Sequence, residues 1–394
     1  MSEVTWEITS LSELGTFSRG KSKHRPRNDA KLFEGGKYPL VQTGDVKAAN
    51  LYITKNDSYY NDFGLKQSKL WPAGTLCITI AANIAETAIL SYPMCFPDSI
   101  VGFNANSEKS SELFVYYFFE YIKKEIQKSA SGSTQDNINI DYLSKMRIKV
   151  PEKKYQDKIV ELLSSIDKKI LLNNQINQEL EAKAKTLYDY WFVQFDFPDQ
   201  NSKPYKSSGG KMVYNQELKR EIPQGWGVSK VGELQIATGK RDANFGTENG
   251  QYNFWTTANS PIKADEFSFE GKAILIAGNG NFYVNFTEGK FEAYQRTYVI
   301  QSEDENMLIF MYMACLQSVE KLRKGSNGSI IKYITIGDVN NIASPYNKKV
   351  VDEFVRIYSP LISLISKNKR QNQELTQLRD WLLPMLMNGQ VKVE

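Results

Sequence analysis

Between Ile159 and Trp191, ten positions fall at intervals alternating four and three. They are Ile159, Leu163, Ile166, Ile170, Asn173, Asn177, Leu180, Ala184, Leu187 and Trp191. This spacing is a coiled-coil seam, which demands a long helix and a partner of matching pitch. The partner is in the same chain. At an offset of 195 residues stand Phe354, Tyr358, Leu361, Ile365, Asn368, Asn372, Leu375, Arg379, Leu382 and Leu386. Both asparagines recur, and Arg379 is the one departure. An asparagine in an apolar seam needs a polar partner across the interface and so fixes register and orientation. The asparagines match in either direction, so the seam alone leaves direction open. Antiparallel pairing, with a front domain at each end, is the expected geometry. About 30 residues at about 1.5 Å each span roughly 45 Å, on the order of 13 base pairs. Pro360 is expected to break or start the second helix and Pro384 to kink its end.

The rest of the chain is doubled too. Trp6, Glu13-Leu14 and Gly20-Lys21 return as Trp226, Glu233-Leu234 and Gly239-Lys240. KYPLVQTGDV from Lys37 answers to QYNFWTTANS from Gln251, and GTLCITIAAN from Gly74 to GKAILIAGNG from Gly271. Gly-Ser turns open GSTQDNINI at Gly132 and GSNGSIIKY at Gly325. A period near 200 is too long for a solenoid and means two copies of a domain-plus-helix unit. Glycine-bounded runs at Thr75–Ile80 and Ala273–Ala277 predict strands, and 111–128 and 307–324 predict helices. The expected fold class is α+β: two α/β recognition domains held apart by two long antiparallel helices in a pseudo-two-fold repeat. Expected boundaries are 1–150 and 222–345 for the domains, 151–194 and 346–394 for the helical regions, and 195–221 for the connector. Pro198, Pro204 and Ser207–Gly210 mark that connector as surface chain. Its aromatics, with Phe195, Phe197, Tyr205 and Tyr214 among them, predict that it is docked.

Composition narrows the chemistry. One histidine, His24, excludes paired-histidine metal faces and most general-base centres. Cys77, Cys95 and Cys315 form no CxxC, which argues against a structural zinc site or a disulfide framework and fits a reduced, cytoplasmic protein. No run of about 18 apolar residues suggests a membrane span. No Asn-Pro-Pro-aromatic or Asp-Pro-Pro-Tyr motif occurs, so the usual base-flipping amino-methyltransferase centre is missing. The chain is expected to bind rather than react, with no catalytic residue, metal or cofactor of its own.

What it would bind is indicated by the loops. Arg19, Lys21, Lys23, Arg25 and Arg27 alternate, with His24 among them. In an extended loop they would line one face at about 6.6 Å spacing, suited to a phosphate backbone. The second half has a thinner counterpart in Lys240, Arg241 and Asn244. Polar loop residues of the first half are Gln42, Thr43, Asp45, Asn83, Ser133, Thr134, Gln135 and Asn137. Those of the second are Thr256, Thr257, Asn259, Asn279, Asn281, Ser326 and Asn327, with the cations Arg296 and Lys324. Asn and Gln suit adenine, Arg and Lys suit guanine, and Ser and Thr adapt to either. Matching loops of unlike sequence fit two heads reading different half-sites on double-stranded DNA.

Gly15–Ser22 matches the phosphate-binding pattern GxxxxGKS. That mechanism needs an apolar helix directly afterwards, and Lys23-His24-Arg25-Pro26-Arg27-Asn28 cannot start one.

The two-fold repeat, the connector FDFPDQNSKPYKSSGGKMVYNQELKREIPQGW from Phe195, YDYWFVQFDFP from Tyr188 and NQELTQLRDWLLPMLMNGQV from Asn372 together resemble the specificity subunit of type I restriction-modification enzymes. The resemblance runs along essentially the whole chain. It implies two target-recognition domains reading an asymmetric split site, with antiparallel helices setting the spacer. It further implies two modification subunits that methylate adenine with S-adenosylmethionine, and restriction subunits that use ATP and magnesium. A free-standing two-headed DNA-binding protein or antagonist remains the alternative.

Overall fold

The computed structural model describes residues 4–131, 138–328 and 332–393. It divides into two compact units. The first comprises Met1–Asn174 with Lys369–Glu394, and the second Gln175–Asn368. The divisions fall within two long helices, Lys153–Tyr188 and Lys348–Met387. Each unit therefore holds one head and half of each helix.

The heads share a topology. In the first unit, Gly15–Arg19, Ile100–Ala105, Leu76–Thr79 and Thr87–Leu90 lie side by side as antiparallel neighbours. In the second, Gln235–Thr238, Thr297–Gln301, Ala273–Ala277 and Val284–Thr287 repeat the order. A smaller sheet follows the same rule. Tyr38–Leu40 runs parallel to Met94–Cys95, as Tyr252–Trp255 does to Lys290–Ala293. The first unit adds an edge strand, Tyr52–Ile53, parallel to Thr87–Leu90. The central strands read as unbroken apolar runs because both their faces are covered: Leu76–Thr79 and Ala273–Ala277 are buried throughout. Helices Glu112–Ser131 and Glu305–Gly325 pack on these sheets. A strand pair closes each head onto its helix, Trp6–Ser10 with Arg147–Pro151 and Gly227–Lys230 with Ala343–Tyr346.

Within each unit the two helix halves run antiparallel, and the asparagines show it. In the first unit Asn173 Nδ2 donates to Asn372 Oδ1 at 2.8 Å and to Gln371 Oε1 at 2.9 Å. In the second, Asn368 Nδ2 donates to Asn177 Oδ1 at 2.9 Å. Parallel pairing of the same seams would have joined Asn173 to Asn368. Ile159 and Leu163 share a core with Leu383, Leu386 and Met387. Tyr188 and Trp191 pack their rings on Phe354.

Three expectations are corrected. The second helix continues through Pro360 and Pro384. Val351, Phe354, Val355, Tyr358 and Ile362 are buried around the first proline, which is itself exposed. Burial at roughly 1.5–3 kcal/mol per side chain outweighs the proline cost of about 3 kcal/mol. Arg379 is not a flaw in the seam. Its guanidinium meets Asp167 at 2.8 Å, and Asp167 accepts a 2.6 Å bond from Tyr117 Oη. The connector docks through Phe195, Phe197 and Tyr205, with Phe197 and Tyr205 stacked 4.8 Å apart. Tyr214 takes no part and is 65% exposed.

Candidate nucleic-acid interface

In each head one tight turn gathers the loops. It links the parallel strand of the small sheet to the central strand of the large one. In the first unit it is Phe96–Ser99, and in the second it is Tyr294–Arg296. Gly20 N donates to Ile100 O at 2.8 Å, and Gly239 N to Thr297 O at 2.9 Å. Lys21 N donates to Phe96 O at 3.1 Å, and Lys240 N to Ala293 O at 3.0 Å. Ile80 N reaches Ser99 O at 3.0 Å, and Gly278 N reaches Arg296 O at 2.7 Å. This explains the repeated Gly-Lys. A Cβ on Gly20 would lie 2.0 Å from Pro97 O, and one on Gly239 would lie 2.1 Å from Tyr294 O. Only glycine lets the two backbones approach so closely.

The basic run of the first head does not extend with its cations on one face. The strand ends at Arg19, and residues 24–28 bend. The cause is Asp98, at the tip of the gathering turn. Arg27 Nη2 lies 2.5 Å from its Oδ1, and Arg25 Nη2 lies 3.6 Å from its Oδ2. Arg19 Nε donates to its carbonyl at 2.7 Å. Arg25 Nη1 is spent on the carbonyls of Ser22 and His24. His24 Nε2 pairs with Asp29 at 2.8 Å, a hydrogen bond that is the largest cause of the lowered Asp29 pKa. Lys23 is exposed and Lys21 half-buried. No apolar helix follows Lys21, so the phosphate-loop reading fails on structure as it does on sequence.

The other first-head candidates divide. Asp45 caps Thr43–Ala48 by accepting from Gln42 N at 2.7 Å, so its carboxylate is occupied while the Gln42 side chain stays exposed. Asn83 sits exposed on the hairpin after Leu76–Thr79 at φ 52°, and Lys47 Nζ lies 3.3 Å from its Oδ1. Ser133, Thr134, Gln135 and Asn137 lie outside the described residues.

In the second head the candidates converge further. Asn279 and Asn281 sit on the hairpin next to the gathering turn, where Gly280 N donates to Lys332 O. Asn327 pairs its backbone with Tyr333, and Arg323 Nη2 reaches Asn281 O at 3.5 Å. Ser326 Oγ is bound to Arg323 O. The exposed cations Arg296, Lys324 and Lys332 thus come together from three segments. Among the described residues none of the three has a carboxylate partner. Asn279 Oδ1 is buried without a partner. Thr256 turns its carbonyl to Thr297 Oγ1, and Asn259 is exposed.

Arg241 behaves otherwise. It meets Glu266 at 2.6 Å and the fully buried Glu292 at 3.2 Å, and it covers the Phe245 ring. Its duty is to neutralise Glu292, which also accepts from Ser268 Oγ. Lys240 lies 5.5 Å from the Phe269 ring centroid, and Asn244 is exposed on a short helical turn. Asp98, Gln295, Arg323 and Lys332 were not foreseen. They take their places through pairings remote in sequence, which no local pattern announces.

Two heads of one topology, each presenting polar loops around a single turn and joined to antiparallel helix halves, define a paired recognition module. The family described as type I restriction modification DNA specificity domain matches residues 3–182 and 223–377. The chain belongs to that family. It is 26% identical over 422 residues to the type I restriction enzyme MjaIX specificity subunit of Methanocaldococcus jannaschii, covering 99% of this chain and 94% of that one. It is 24% identical to the HindI specificity subunit of Haemophilus influenzae, over 93% of this chain and 97% of that one. The crystal structure of the S subunit of a type I system from M. genitalium shares the fold. Its TM-score is 0.58 at 17% identity, over 98% of this chain and 97% of that one. No helix among the described residues is long and apolar enough to cross a membrane.

Proposed function

We propose that this chain is the non-catalytic, DNA-reading subunit of a cytoplasmic type I restriction-modification complex. Each head reads one half of an asymmetric split site, and the helix pair sets the gap between halves. Two modification subunits dock on the chain and methylate adenine with S-adenosylmethionine. Restriction subunits, where they accompany it, supply ATP- and magnesium-dependent cleavage. The observation that carries this reading is the pair of matched turns, identical in backbone pairing and different in side chains. A common scaffold with unlike contact residues suits two different sequences read at one kind of surface.

The test is copurification with the neighbouring modification subunit, followed by selection of bound duplexes from a random pool. The reading predicts a stable complex that enriches one bipartite sequence. A chain that enriches such a sequence but never retains a modification subunit is a free-standing DNA-binding protein. Enrichment of no sequence refutes the reading.

A further inference from the structure

The gathering turn carries opposite charges in the two heads at matched places. In the second head its tip is Arg296, exposed and without a carboxylate partner among the described residues. In the first head its tip is Asp98, and Asp98 holds Arg27 at 2.5 Å. Both heads therefore present a guanidinium over the same turn, one belonging to the turn itself and one recruited to it. The two arginines on Asp98 are not equivalent. Arg25 is clamped, with Nη1 on two carbonyls and Nη2 facing the carboxylate. Arg27 gives only Nη2, and its side chain is 48% exposed. Its Nε–H and Nη1 groups have no partner among the described residues.

We propose that Arg27 is the base-reading arginine of the first head and that Asp98 is its positioning residue, with Arg25 as a buttress. This deepens, and rests on, the DNA-reading function above. An arginine tethered through one nitrogen by a carboxylate has already lost most of its rotamer freedom. It keeps a planar fork for the acceptor edge of guanine, N7 and O6. Arg296 is the corresponding reader in the second head and needs no tether because a tight turn carries it.

The experiment uses the copurified complex and duplexes in which one half-site at a time is altered. Asp98→Asn is expected to lower discrimination at the first half-site about tenfold and to leave the second half-site unchanged. Arg27→Ala is expected to lose at least as much, and Asp98→Asn added to Arg27→Ala should change discrimination less than twofold. A merely structural Asp98 would add its full loss in that background, which overturns the proposal. Arg27→Lys keeps the charge at an exposed site and so tests the fork without endangering the fold. It should bind DNA with an unchanged salt slope yet lose discrimination, and full retention would overturn the proposal. Arg296→Ala should produce the mirror result, a loss confined to the second half-site. A wild-type complex with no sequence preference would refute the DNA-reading function itself, which is a different outcome from a preference that Asp98 and Arg27 do not affect.

Discussion

Arg379→Ala removes the only cation bonded to Asp167, whose side chain is 9% exposed and which also accepts from Tyr117. Leaving a buried charge uncompensated costs about 3–5 kcal/mol. For a unit of this size that lowers Tm by roughly 6–20 °C. The second helix pair supplies the control, because the repeat places Ala184 opposite Ile362 where the first unit has Arg379 opposite Asp167. Asp167→Ile with Arg379→Ala copies that apolar pair. Tyr117→Phe added to it avoids an orphaned hydroxyl worth about 1–3 kcal/mol. The triple variant should recover most of the loss, since apolar replacement of a buried pair is often neutral or stabilising. Urea unfolding of all variants, read as a cycle, measures the coupling. A single Arg379→Ala cost below about 1 kcal/mol, the range of surface pairs, would refute the reasoning. A triple variant no more stable than the single would refute it equally.

Asn177→Leu alone should cost about 1–3 kcal/mol by orphaning Asn368, whereas Asn177→Leu with Asn368→Leu should restore or exceed wild-type stability in urea. Gly20→Ala and Gly239→Ala should each cost about 1–3 kcal/mol or more by driving the gathering turn away, and urea midpoints equal to wild type would show that the approach is slack. Glu13 accepts from Ser10 N, Thr9 Oγ1 and Ser10 Oγ, and the backbone bond leads in holding its pKa down to about 2. Because the folded value lies below the usual 4.5, its contribution is complete above that pH and is lost as pH falls towards 2. Glu13→Gln should therefore flatten the dependence of Tm on pH across that window.

The helices were legible because a seam is a local, periodic signal. Ile159 to Trp191 and Phe354 to Leu386 needed only their spacing, and the paired asparagines named the interface. Their direction became visible only when Asn173 met Asn372. The doubled Gly-Lys was legible as a repeat, but its reason was not, since that reason is a carbonyl some 75 residues away in one head and some 55 in the other. The basic run misled because alternation predicts one face only for extended chain, and a single distant carboxylate, Asp98, bends it. Pro360 misled because propensity weighs a residue without the core it borders. Arg241 looked like a DNA contact because its partner, Glu292, lies 51 residues away.

The central claim is that two heads of one design read two halves of one site. Its most direct test is a genome-wide map of methylated adenine in a host without adenine methylation of its own, expressing this chain with its neighbouring modification subunit. One motif with two unlike halves and a fixed gap is the predicted result. A continuous motif, or a soluble complex that methylates without sequence preference, would contradict it.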